Sequence, residues 1–261
     1  MKYSYLPLVQ QLDKKHPIYA LDDGVMTSGK IFQFESIDQV ARTCLPFVRE
    51  IAKKHNTSVV TLAGWSYGGV VASAVAKILS ERRDDDGDED SVRVNSLVLF
   101  DAPLRAPPKK SAESTAGVST TAPIIDVASA GVAGSEASEG DDNSVGRGSS
   151  FDLQARTQSH FRSCTDLLQL YYRDQQLDGN NNAVSARSNQ LKVPSSLPAP
   201  PLQCAVCDVR PELTDYDCGM EAASELTSGV ASRITVPGTH WTMLLQDNVI
   251  SVGKAIKEFL L

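Results

Sequence analysis

Apolar residues follow two different rhythms along this chain. From Ile37 onward, Val40, Ala41, Cys44, Leu45, Val48, Ile51 and Ala52 recur at the three- and four-residue spacing of one helical face. Ser36 stands where an N-cap belongs, and Gln39 three residues on completes a capping box. Pro46 falls inside the pattern; it lacks an N–H and crowds the preceding turn, so a kinked helix is expected. Ahead of this, residues 4–14 predict a short helix with Leu6, Val9 and Leu12 on one side, and residues 17–22 (PIYALD) predict a strand. A polar, glycine-containing loop (DDGVMTSGK) follows. The β-branched run 58–63 (SVVTLA), closed by Gly64, reads as a buried central strand. Helical spacing returns with Val70, Val71, Ala74, Val75, Ile78 and Leu79 and dissolves at ERRDDDGDED, a short run of mixed sign expected to be solvated loop. Residues 92–100 (VRVNSLVLF) predict the next strand, stopping at Asp101. Strand, helix, strand in this order implies a mostly parallel sheet with helices on both faces.

Beyond Arg105 the pattern fades. Residues 105–150 are rich in Ser, Ala, Gly, Asp and Glu with almost no aromatics, and bury too little surface to hold themselves in place. A helical stretch (FDLQARTQSHFRSCTDLLQLYYRD) and a second polar linker follow, so 105–190 is expected to be an insertion over the sheet edge within a single domain spanning 1–261. A strand is expected at 202–209 (LQCAVCDV), another at ITV before the turn Pro237-Gly238, and a closing helix at about 248–260 with Val249, Val252, Ile256 and Phe259 in register.

Composition narrows the functional classes. A chain of 261 residues is long enough to bury a substantial core. A net charge of -7 without a basic face weighs against nucleic-acid binding, because phosphates would go unneutralised. Five cysteines, an odd number scattered over 44, 164, 204, 207 and 218, do not suggest a disulfide scaffold. No signal-peptide core and no long apolar run is evident, so no membrane partner and a cytoplasmic setting are expected. Cys204 and Cys207 fall within an apolar strand without a histidine ligand nearby and read as buried thiols, so no metal and no bound cofactor is expected.

Candidate chemistry gathers around Gly64-Trp65-Ser66-Tyr67-Gly68, followed by Gly69. A G-x-S-x-G pentapeptide between an apolar strand and an apolar helix is the pattern of a nucleophile elbow. The sharp turn exposes the serine hydroxyl, and small residues two positions either side let strand and helix approach. The backbone N–H of Tyr67, at the helix N-terminus, would face a developing oxyanion. Serine needs a base. Of the histidines, His16 and His55 precede the serine, His160 lies in the insertion, and His240 sits on a loop close to the C-terminus, where the base comes in this chain order. Two residues compete to orient that base: Asp101 and Asp208 each close a predicted strand, and the pattern does not separate them. Asp126, Asp166 and Asp215 have no comparable placement.

The segments YLPLVQQLDKKHPIYAL, ESIDQVARTCLPFVREI, LAGWSYGGVVASAVAKIL, LVLFDAP and PGTHWTML, in this order, resemble the thioesterase domains of polyketide and nonribosomal peptide synthetases and their free-standing relatives. The resemblance implies an α/β-hydrolase fold with a helical lid. It makes Ser66 the nucleophile, His240 the base and Asp101 rather than Asp208 the acid. It also implies an acyl or peptidyl substrate delivered on the phosphopantetheine arm of a carrier protein and released through an acyl-serine. Family members usually start with a further strand and a glycine-containing oxyanion loop ahead of the segment matching Tyr5–Leu12. The chain begins after that point, so the second oxyanion donor is expected from elsewhere, or catalysis is reduced. A general carboxylester hydrolase and a catalytically impaired carrier-binding domain are the rival expectations.

Overall fold

A computed structural model of the protein describes residues 5–12, 15–21, 34–81, 91–105, 160, 162–173, 201–214 and 219–260. In chain order the elements are α1 (Leu6–Gln11), α2 (Ile37–Lys54), β1 (Val59–Trp65), α3 (Tyr67–Glu81) and β2 (Arg93–Phe100). A helix α4 over 162–173 is followed by β3 (Ala205–Leu213), α5 (Gly219–Leu226), β4 (Ala231–Thr239) and α6 (Asn248–Leu260). The strands form one sheet in the order β1-β2-β3-β4, every neighbouring pair parallel. Parallel neighbours need crossovers, and α3 supplies the first of them. This is an α/β-hydrolase-like fold, and α4 belongs to its helical insertion.

Side chains alternate across the sheet, and both faces are covered. Val98, Phe100, Cys207, Val209 and Val236 pack with Leu8 of α1 and with Val249, Val252 and Ile256 of α6. Their strand neighbours Leu97, Leu99 and Val206 turn the other way, onto Ala72 and Ala76 of α3 and Ala222 and Ala223 of α5. This explains why the core strands read as continuous apolar runs instead of alternating ones. Outside α3 lies α2, whose Ala41, Leu45, Val48 and Ala52 meet Val75, Ile78 and Leu79.

Ser36 caps α2 as expected, but the reciprocal bond of the box reaches one residue further back, to Glu35 and not to the Ser36 N–H. The Gln39 N–H donates to Ser36 Oγ at 3.2 Å, while Gln39 Oε1 accepts from the Glu35 N–H at 2.7 Å. Helix α2 passes through Pro46 without interruption. Pro46 lies on the exposed side of the helix, where water can satisfy the carbonyl that loses its donor.

Several boundaries differ from expectation. Helix α1 is shorter than 4–14. Residues 17–21 form no strand: their side chains are exposed and no described strand pairs with them. A β-branched and aromatic run favours a pleated surface only where a neighbouring strand accepts its hydrogen bonds. β3 continues past 209 to Leu213, and β4 continues through Pro237 and Gly238 to Thr239. The loop 22–30, the ERRDDDGDED segment beyond Glu81, the low-complexity tract beyond Arg105 and the second linker lie outside the described residues. Cys218, Asp126 and Asp215 do too. Among the described residues, no helix is long and apolar enough to cross a membrane.

Replacing Ser36 by Ala removes the cap on α2. It is expected to cost about 1 kcal/mol in urea denaturation, with an unchanged denaturant slope.

Candidate active site

In a parallel sheet all carboxyl ends lie along one edge. Ser66 directly follows β1, Asp101 directly follows β2, and His240 directly follows β4. The predicted nucleophile, acid and base therefore share the edge at which open α/β sheets build their sites.

Close approach of backbone to backbone shapes the first of these positions. Ser66 holds a left-handed conformation, φ 54°, which costs a non-glycine residue roughly 1–3 kcal/mol. Its N–H donates to the Phe100 carbonyl at 2.9 Å, and its own carbonyl accepts from the Gly69 N–H at 2.9 Å. A methyl group on Gly64 would stand 2.2 Å from the Gly68 oxygen, and one on Gly69 would stand 2.5 Å from Ala102 Cβ. Strand β1, helix α3 and the end of β2 thus meet at a distance that only glycine permits. Tyr67 is the first residue of α3, at the positive end of the helix dipole.

His240 comes from the far side of the sheet. The strands β2 and β3 separate β4 from β1, a gap of about 14 Å at ordinary strand spacing. The segment after β4 crosses it. The Trp65 indole N–H donates to the His240 carbonyl at 3.1 Å, and the two rings pack with centroids 5.2 Å apart and a tilt of 33°. Trp241 meets the His240 ring edge-on at 4.9 Å. Thr239 and Thr242 tie the turn itself, with the Thr239 N–H on Thr242 Oγ1 at 2.9 Å. Met243 and Leu244 behind it are buried.

The imidazole meets a carboxylate there. His240 Nδ1 lies 2.7 Å from Asp101 Oδ2. The other Asp101 oxygen accepts from Arg210 Nη1 at 2.8 Å and from Thr214 Oγ1 at 3.0 Å. Asp101 is buried, which works to raise its pKa, but the hydrogen bonds and positive charge of His240 and Arg210 outweigh burial and hold it below the usual carboxylate value. Asp208 is equally buried but stands inside β3, level with Leu99, and not at a strand end as expected. Both of its oxygens are taken by arginines: Oδ1 by Arg210 Nε at 2.8 Å, and Oδ2 by Arg233 Nε at 3.1 Å and Nη2 at 2.9 Å. His240 therefore contacts Asp101, and Asp208 contacts cations. Among the described residues, Ser66 Oγ makes no hydrogen bond to His240; such bonds are often long before substrate binds.

The remaining candidates lie elsewhere. His16 is exposed, His55 shares a 2.6 Å hydrogen bond with Tyr19 on the surface, and His160 lies 3.6 Å from the Cys164 thiol, one turn away along the insertion helix. Cys204 and Cys207 are buried thiols, and burial pushes Cys207 up to about 11.

Four residues around the site escaped the sequence pattern: Arg210, Arg233, Thr214 and Tyr5. Arg210 carried a signal. Asp208 and Arg210 are two apart in an apolar strand and so point to one face, where opposite charges must pair if buried. The Tyr5 hydroxyl accepts from the Trp65 N–H at 2.8 Å beneath the elbow, and burial raises its pKa against the opposing effect of that bond.

A family model described as "Thioesterase domain" matches residues 4–260. The chain belongs to the thioesterase domain family. No curated protein matches it. Among solved structures it is similar to the RedJ thioesterase of the prodiginine pathway in Streptomyces coelicolor, with 13% identity, TM-score 0.59, and 99% of this chain and 85% of that one covered. A covalent complex of the NocB thioesterase domain with a fluorophosphonate nocardicin G analogue aligns at 16% identity and TM-score 0.54, covering 100% and 89%. The Vlm2 thioesterase domain bound with a dodecadepsipeptide aligns at 16% identity and TM-score 0.52, covering 99% and 88%. At these identities the likeness is one of fold.

Two outcomes follow for this thioesterase domain. Gly64→Ala forces backbone apart and is expected to destabilise by about 2–3 kcal/mol in chemical denaturation. Because Asp101 titrates lower when folded than when unfolded, its stabilising contribution is complete above the unfolded value near 3.8 and is lost as pH falls through the folded value. Urea midpoints measured from about pH 5 down to about pH 2.5 should therefore fall, and more shallowly in Asp101→Asn.

Proposed function

We propose that Ser66 is the nucleophile of a thioesterase acting on an acyl or peptidyl chain carried as a phosphopantetheine thioester, with His240 as base and Asp101 as the acid that orients it. The observation that carries this reading is the 2.7 Å contact of His240 Nδ1 with Asp101 Oδ2, beside a strained serine elbow. With Nδ1–H donating to the carboxylate, the neutral ring keeps its lone pair on Nε2 for the serine proton. Ser66 Oγ attacks the thioester carbonyl as Nε2 takes that proton, and the Tyr67 N–H stabilises the oxyanion. The carbon–sulfur bond breaks, and the imidazolium returns the proton to the departing sulfur. Water then attacks the acyl-serine with His240 again as base, releasing the acid and restoring the Ser66 hydroxyl.

The family supports hydrolysis of this type, and the named relatives suggest the substrate. The Vlm2 domain holds a dodecadepsipeptide and the NocB domain a nocardicin G analogue; by extension, this chain serves a carrier protein of a polyketide or nonribosomal peptide synthetase. A single domain over 1–261 is in keeping with the family match across residues 4–260.

Turnover of a matched thioester and oxygen ester, each free and on a carrier protein, tests the assignment. The carrier-bound thioester should be preferred, and Ser66→Ala should lower kcat by about 10³-fold or more. Equal or faster turnover of the oxygen ester, indifferent to the carrier, would indicate a general carboxylester hydrolase. Binding of the carrier without turnover would indicate a catalytically impaired carrier-binding domain.

A further inference from the structure

We infer that Arg210 is a positioning residue for this site: its guanidinium fixes Asp101 with Oδ2 turned to His240 and, balanced by Asp208 and Arg233, sets the charge that the imidazole meets. The inference rests on the roles proposed above for Ser66, Asp101 and His240. A carboxylate with one oxygen on an imidazole can still rotate about its own axis. Here the second oxygen is pinned by Arg210 Nη1 at 2.8 Å and Thr214 Oγ1 at 3.0 Å. Arg210 is itself fixed along its fork, with Nε on Asp208 Oδ1 at 2.8 Å and Nη2 on the Ala102 carbonyl at 2.9 Å. Arg233 then holds the remaining Asp208 oxygen. The chain of contacts runs from the end of β2 through β3 to β4, so the carboxylate is set by the sheet and not by its own loop.

Charge balance gives the arrangement a measurable signature. Among the described residues, two carboxylates and two guanidiniums face one another, a sum of zero before His240 takes up a proton. Arg210, Asp101 and Asp208 side chains are no more than 4% exposed, and Arg233 is 25% exposed, so the charges nearest His240 are weakly screened. The other described groups packed on the imidazole, the Trp65 and Trp241 rings, do not ionise, and the Tyr5 phenol bonds the Trp65 backbone. Removing the Arg210 cation leaves one uncompensated negative charge that favours the imidazolium. Neutralising Asp208 leaves one uncompensated positive charge that opposes it. The two changes must therefore move the acid limb of Ser66 reactivity in opposite directions, which a residue that only stabilises the fold would not do.

The test is the pH dependence of the rate at which a fluorophosphonate labels the full chain, with folding checked by thermal melts. Arg210→Met should move the acid limb up by about half a unit or more and slow maximal labelling about tenfold or more. Asp208→Asn should move the limb down while labelling persists. Arg210→Lys should restore the wild-type limb but not the full rate, since an ammonium cannot make the forked contacts. If Arg210→Met does not fold, the direction of the Asp208→Asn shift decides alone. A folded wild type that does not label removes the reading of Ser66 beneath this inference. A wild type that labels, with variant limbs unmoved, overturns the role of Arg210 only.

Discussion

Strand β1 and helix α3 approach so closely at Gly64 and Gly68 that a single methyl group between them would overlap backbone atoms, and the site depends on that approach. It turns the chain sharply enough to put Ser66 at φ 54° with its N–H on the Phe100 carbonyl. Gly69 against Ala102 makes the same demand on the end of β2, which brings the residue after Phe100 to the same edge. The strain of roughly 1–3 kcal/mol at such a residue is small beside what the helix gains. Val70, Val75, Ile78 and Leu79 of α3 are buried, each worth about 1.5–3 kcal/mol as area removed from water. Packing over the whole length of α3 thus holds one residue where its local preference would not put it.

A second constraint is electrostatic. Asp101, Asp208 and Arg210 are almost wholly buried, an arrangement that is expensive unless every charge is paired and hydrogen-bonded. Each is: Arg210 bridges the two carboxylates, and Arg233 closes the far end. Asp208 and Arg210 alternate with Val209 and so share the face of Val206, packed by α3 and α5, while α1 and α6 cover the face of Val98, Phe100, Cys207 and Val209. The sheet therefore supports the site from within. Asp101 is oriented by β3, and His240 is held by Trp65 of β1 through its carbonyl and ring.

Local features of the fold were legible in the sequence, and relations across the sheet were not. The helical faces of α2, α3 and α6 and the elbow around Ser66 follow from spacing within a few residues, and the place of His240 after the last strand follows from chain order. Residue pattern left Asp101 and Asp208 equal because which aspartate meets the histidine is a matter of strand register: Asp208 pairs with Leu99, two residues short of Asp101. Arg210 can be matched to Asp208 within its own strand, but its bond to Asp101 and the pairing of Arg233 with Asp208 cross strands and depend on the same register. PIYALD has the composition of a strand, yet Ile18, Tyr19 and Leu21 are 41–46% exposed and nothing described pairs with them. Helix α5 escaped notice because the residues described as buried on it are Ala222 and Ala223, too small to mark a hydrophobic stripe.

In the proposed mechanism Ser66, His240 and Asp101 work as a unit, although they arrive from three strand ends. Peptide mapping of the adduct formed with a fluorophosphonate, on wild type, Asp101→Asn and Asp208→Asn, addresses that directly. One adduct is expected, on Ser66, formed far more slowly when Asp101 is changed and still readily when Asp208 is changed. An adduct on another serine, or Ser66 labelling that survives loss of Asp101 but not of Asp208, would contradict this mechanism.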